Sequence, residues 1–167
     1  MTDPFIQPAS RAAANEPADT VRLNSASLAP GNINTATGLA TDYLNHFNEA
    51  IMLLDLVTTV PECLDDLRGW RPVSYREHFA ASSFKDRHLA VAAYDSADLA
   101  ARRNLERLVD AMTAILLATR DAMIDGGSVA EQAARAAAQL RPLVAEAGAV
   151  INGRPVAQGL IDALFPR

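Results

Sequence analysis

A chain of 167 residues is long enough for one domain with a real core and short for two. Half of it is apolar and 21% is charged, which is ordinary globular composition and argues against a chain without a core. The net charge is −5 and the pI about 5.1, so the basic excess of a nucleic-acid binder is missing.

One cysteine, Cys63, forms no internal disulfide and no cysteine zinc site; a buried structural thiol is expected. Lys85 is the one lysine, against fourteen arginines. The opening "MTDPFIQPAS" has no basic run followed by an apolar one, and so does not read as a secretory signal. The most apolar window, "AIMLLDLVTTV", is too short to span a bilayer and contains Asp55. The expectation is a soluble, cytoplasmic protein with no membrane or nucleic-acid partner.

Residues 1–36 show neither helical nor strand periodicity and carry Pro4, Pro8, Pro17 and Pro30 among Asn, Ser and Thr. They read as an extended N-terminal arm, with one helical domain over 37–167. A first helix is predicted over 38–59 from Leu39, Tyr43, Phe47, Ala50, Leu54 and Val57. Pro61 then suits the first turn of a short helix over 61–68, which Gly69 ends. "SYRE" at 74–77 matches a capping box, with Ser74 as cap and Glu77 three residues on, so a short helix to Ala81 follows. "SSFKD" restarts a helix that runs to Tyr94.

The next segment has the clearest period. Leu105, Leu108, Met112, Ile115, Thr119 and Ala122 are spaced 3, 4, 3, 4, 3 along a helix over 98–125, which Gly126 and Gly127 stop. "SVAE" at 128–131 is a second capping-box pattern. Behind it Ala130, Ala133, Ala137, Leu140, Val144, Ala147 and Ile151 repeat the spacing. Pro142 lacks an N–H for the residue 138 carbonyl and is expected to kink or split this helix. Asn152-Gly153 ends it, and Pro155 opens a last short helix with Val156, Leu160, Ile161 and Leu164 on one side. Nothing alternates with period two. The fold class is all-α: a bundle of about five to seven helices built on a long antiparallel αα-hairpin, with the small alanines letting its backbones approach closely.

Polar candidates follow from helical arithmetic. At about 100° per residue, Asp42, Asn45, His46 and Glu49 share one sector, and one turn on the same sector holds Leu53 and Leu56. His and carboxylate are the ligands that bundles project inward for metals. Here the order, His46-x-x-Glu49, is the reverse of the bundle di-iron pattern, and an Asp42–His46 pair one turn apart already explains two of the four. A divalent-metal site would need His46, Glu49, His78 and His88 to converge; His88 shares a face with Phe84 and Val91. Glu77 is accounted for by its cap. In "RGWRPVSYR", residues Arg68, Trp70, Arg71, Tyr75 and Arg76 are the types enriched in interface hot spots, although a Trp plugging the loop onto the bundle, with Arg at the rim, is the simpler account of them. Cys63 sits beside Glu62, Asp65 and Asp66, which work against a thiolate, and no nucleophile elbow or phosphate loop occurs. The expected function is therefore that of a non-enzymatic interaction protein, an accessory subunit or homo-oligomer. It would use spare apolar faces at Leu53/Leu56 and Leu160/Leu164 and the Trp/Arg loop, with no cofactor. The alternative is a metal-binding protein or metal-dependent enzyme using the His/Glu set.

Overall fold

The computed structural model describes residues 32–83, 85–156 and 159. Most of the expected arm, Phe84 and the last short helix with Leu160, Ile161 and Leu164 lie outside the described residues. Among those described there are six α-helices and no strand, so the chain is all-α. They are α1 (Asn45–Leu56), α2 (Cys63–Gly69), α3 (Tyr75–Ala81), α4 (Arg87–Asp95), α5 (Leu99–Ile124) and α6 (Val129–Ile151). A 3-10 turn, Thr41–Leu44, leads into α1. No described helix is long and apolar enough to cross a membrane.

The long pair α5 and α6 makes the most extensive contact, and α1 packs on α6 and α2 while α3 pairs with α4. The link at 125–128 turns the chain back because Gly126 takes φ +92, and the Gly127 N–H bonds the Ala122 carbonyl at 3.0 Å. Gly153 (φ +79) ends α6 in the same way, with Arg154 N–H on the Ala149 carbonyl at 2.9 Å. In both cases a left-handed residue lets the next N–H reach an orphan helix carbonyl.

The buried face of α5 is Leu105, Leu108, Met112, Leu116 and Met123, not the predicted Ile115 and Ala122 beyond Met112. An alternating 3/4 pattern averages 3.5 residues per turn, and a straight helix drifts about 20° per heptad from it. The core stripe therefore moves one position on, and Ile115 is left half-buried. On α6 the interior residues are Ala133, Ala136, Ala137, Leu140, Leu143, Ala147, Val150 and Ile151, with Ala130 exposed.

Pro142 does not split α6, which runs unbroken through it. Ala138 and Pro142 both lie on the exposed face, so the carbonyl that Pro142 leaves without its helical donor is on the solvent side, while Ala137, Leu140 and Leu143 hold the buried face continuous. The first helix is shorter than 38–59. At its start Gly38 has φ +74 and Ala40 bridges Ile33, neither of which is helical. At its end the β-branched run of Val57, Thr58, Thr59 and Val60 meets Pro61, which disfavours helix in the residue before it.

The last residues assigned to the arm belong to the domain. Ile33 is in the core, and Asn34 Oδ1 accepts from the Ala36 and Thr37 N–H groups to make a tight turn. Thr37 is the one buried polar residue among those described, and it ties the helices together. Its hydroxyl donates to the Ile151 carbonyl at the end of α6 (2.7 Å) and accepts from Leu39 N–H, while its carbonyl accepts from Asp98 N–H at the start of α5. Ala40 N–H donates to the Tyr75 hydroxyl of α3 at 2.8 Å.

Candidate functional site

The Asp42–Glu49 stripe does not form a ligand set. His46, in the first turn of α1, lies half-buried with its ring stacked on Trp70 (centroids 4.7 Å apart, planes at 19°), while Asn45 and Glu49 are exposed. Burial holds the His46 imidazole below its ordinary pKa of 6.5; the Arg71 backbone carbonyl opposes that shift, His78 adds to it, and Glu49 opposes it. His46 Nε2 is buried with no hydrogen-bond partner among the described residues, which suits a neutral ring.

His78, on α3, packs edge-on against Tyr43 and Phe79, and burial lowers its pKa too, against a hydrogen bond to the Asp42 backbone. His88 is exposed on α4, away from the apolar face expected for it. No three His, Cys, Asp or Glu side chains among the described residues stand where they could hold a metal ion, so His46, Glu49, His78 and His88 are not brought to one point. Leu53 is half-buried against the core, but Leu56 remains exposed.

The Trp/Arg loop divides by depth. Trp70 is 9% exposed and Tyr75 is buried, so both plug the loop onto the bundle. Arg68, Arg71 and Arg76 stay at the rim with partners of their own. Arg71 Nη1 donates to the Arg68 and Trp70 carbonyls at 2.7 and 2.9 Å, capping the end of α2. Arg68 pairs with Asp65 at 2.8 Å, and Arg76 reaches Asp95 of α4 at 3.0 Å. At Ser74 both bonds of the capping box form, and they hold the Glu77 carboxyl below the usual range. At Ser128 the hydroxyl accepts from Glu131 N–H at 3.4 Å.

A separate concavity has a different lining. A cleft of about 370 Å3 opens between the 72–75 loop and α5, within the size range of small-molecule sites. One wall is aromatic: Tyr75 stacks on Tyr94 (4.4 Å, 16°), and Tyr43 lies 5.1 Å from Tyr75. The other is α5, which presents Glu106, Val109, Asp110 and Thr113 at i, i+3, i+4 and i+7. Tyr94 donates to Glu106 at 2.7 Å, and Tyr43 donates to the Val73 carbonyl at 2.9 Å. Burial, then the Glu106 hydrogen bond, pushes the Tyr94 hydroxyl up to about 12; burial also raises Tyr43 and Tyr75. All three phenols are protonated near neutral pH and offer no base; Tyr43 and Tyr75 are buried, and each of the three hydroxyls has a partner within the fold.

This cleft was missed at the level of sequence. The signal for it was present in the second stripe on α5, Glu106-x-x-Val109-Asp110-x-x-Thr113, one step from the core seam. Its aromatic half comes from three separate elements and has no local signature. No family model, no curated protein and no solved structure matches this chain.

Proposed function

We propose that the chain is a non-enzymatic helical interaction protein, which associates with a protein partner or with a second copy of itself. The observation that supports this reading is an apolar edge left open at one end of the bundle. Met52, Leu56 and Val60 recur at i, i+4 and i+8, with 51%, 40% and 40% of their surfaces exposed. Beside them runs a groove of about 320 Å3 lined by Val57, Pro61, Leu64 and Val129. Ile124, 53% exposed at the end of α5, adds to the same end of the molecule. Exposed apolar side chains gathered on one part of a surface mark interaction sites more often than scattered single ones do. The edge coincides with the Leu56 half of the face read from the sequence.

A Met52→Ser/Leu56→Ser double variant tests the reading. Light scattering on the wild-type chain should show a concentration-dependent rise in mass or a stable complex with a purified partner, and the variant should lose it while keeping its helical signal. A wild-type chain that stays monomeric, with hydrogen exchange at 50–60 identical when dilute and in concentrated cell extract, would end the reading.

A further inference from the structure

The cleft between the 72–75 loop and α5 lies away from the apolar edge and stands on separate observations. Its charged lining consists of two carboxylates, Glu106 and Asp110, and no cation. They sit one helical turn apart, about 5–6 Å between Cβ atoms. Glu106 is partly engaged by the Tyr94 hydroxyl at 2.7 Å and by Arg102 at 3.7 Å. Asp110 is exposed and makes no hydrogen bond or ion pair among the described residues.

The facing wall is a run of three tyrosine rings, and its outer end already attracts cations within the fold. The guanidinium carbons of Arg76 and Arg102 lie 5.7 and 5.6 Å from the Tyr94 ring centroid. Ring faces attract positive charge through their quadrupole. Tyr75, stacked on Tyr94, and Tyr43 are buried behind it and close the floor of the cleft, and none of its lining residues is a cation.

One carboxylate with no ion pair, Asp110, a second shared with Arg102, the partly exposed Tyr94 ring and aliphatic walls from Val73, Leu105 and Val109 select a particular chemistry. An anion would meet two like charges. A hard divalent ion needs about six oxygen ligands, which aromatic and aliphatic walls do not provide, and no metal-holding group is present among the described residues. We infer that this cleft binds an organic cation, an ammonium or guanidinium on a short apolar stem, with Asp110 as the charge partner, Glu106 as the second carboxylate, and Tyr94 and the aliphatic walls against the stem. The same chemistry is carried by a free amine and by a Lys or Arg side chain of a protein partner.

The test is an NMR titration of the full chain with n-butylguanidinium, with a blocked Gly-Arg-Gly peptide, and with n-butylurea as the neutral isostere. Saturable shifts are expected at 73–75, 94 and 106–113 with both cations and not with the urea. Asp110→Asn should weaken the binding by about five- to tenfold, the scale of one partly exposed charge-assisted contact. Because Asp110 holds no partner in the fold, that variant keeps its structure; Glu106→Gln gives a second, smaller loss. Tighter binding of the peptide than of the free guanidinium points to a partner's side chain, and the reverse order to a small amine. Equal binding of the urea, unchanged affinity in Asp110→Asn, or tighter binding of calcium at the same residues would overturn the inference.

Discussion

The two ends of the α5–α6 pair are finished in opposite ways. At one end the turn at 34–40 threads between the start of α5, the end of α6 and α3, and six of its seven backbone N–H groups have a partner. At the other, the ends of α1 and α5 leave Met52, Leu56, Val60 and Ile124 in the open around a groove. The first end is specific because its bonds are directional and because the backbone packs closely at Gly38, where few residues fit. The second is permissive because the side chains it exposes are apolar and contact there is not directional. A fold that closes one end with hydrogen bonds can leave the other free for association without losing its register.

The comparison breaks most severely at Gly38. A Cβ there would stand 2.9 Å from the Ala93 carbonyl oxygen and 3.1 Å from Ala97 Cα, both backbone atoms that cannot swing aside, and φ is +74. Gly38→Ala should cost about 2–4 kcal/mol, read as a lower urea midpoint at unchanged slope. A Gly38→Ala variant within about 0.5 kcal/mol of wild type would show that this end is not crowded.

Thr37→Val comes next. It leaves the Ile151 carbonyl and the Leu39 N–H without their partner in a buried place, for about 1–3 kcal/mol, while Thr37→Ser should recover most of that. Equal losses for Val and Ser would assign the effect to methyl packing instead. By contrast, Met52→Ser/Leu56→Ser at the open end should leave the stability of the isolated chain within about 1 kcal/mol, since neither side chain is in the core.

The smallest effect concerns the flank between the ends, where His46 and His78 sit. Burial lowers both pKa values in the fold, so below the ordinary value of 6.5 the unfolded chain takes up protons that the native chain refuses. Stability from these groups is therefore fully present above that pH and is lost as the pH falls through the native values. The wild-type urea midpoint should fall on acidification more steeply than that of His46→Gln, and a difference curve flat with pH would remove His46 from this role.

What could be read from the sequence is what is local. The Ser74–Glu77 box, the Gly126 and Gly153 stops and the α5 seam as far as Met112 each depend on residues within one or two turns, and each is present as spaced. What could not be read depends on partners far along the chain. Nothing near Thr37 announces that its hydroxyl is meant for Ile151, 114 residues away, and residues 32–36 therefore looked like the end of an arm. Trp70 and Tyr75 have the composition of a contact loop, and only the packing of α1 against α2 turns Trp70 inward. The tyrosine cleft needs α3, α4 and α5 in place before it exists. Pro142 failed as a break because its exposed position, and not its identity, decides the cost.

The Thr37–Ile151 bond also carries a consequence for synthesis. The two groups leave the ribosome 114 residues apart. At about 5–20 residues per second, Thr37 waits on the order of 10 s for its acceptor. Throughout that interval Gly38, Leu39 and the α1 face have no α6 to settle on, so the earliest part of the domain is made first and finished last. A nascent chain stalled before Ile151 should be open to proteolysis around residue 37 and closed to it once α6 has emerged.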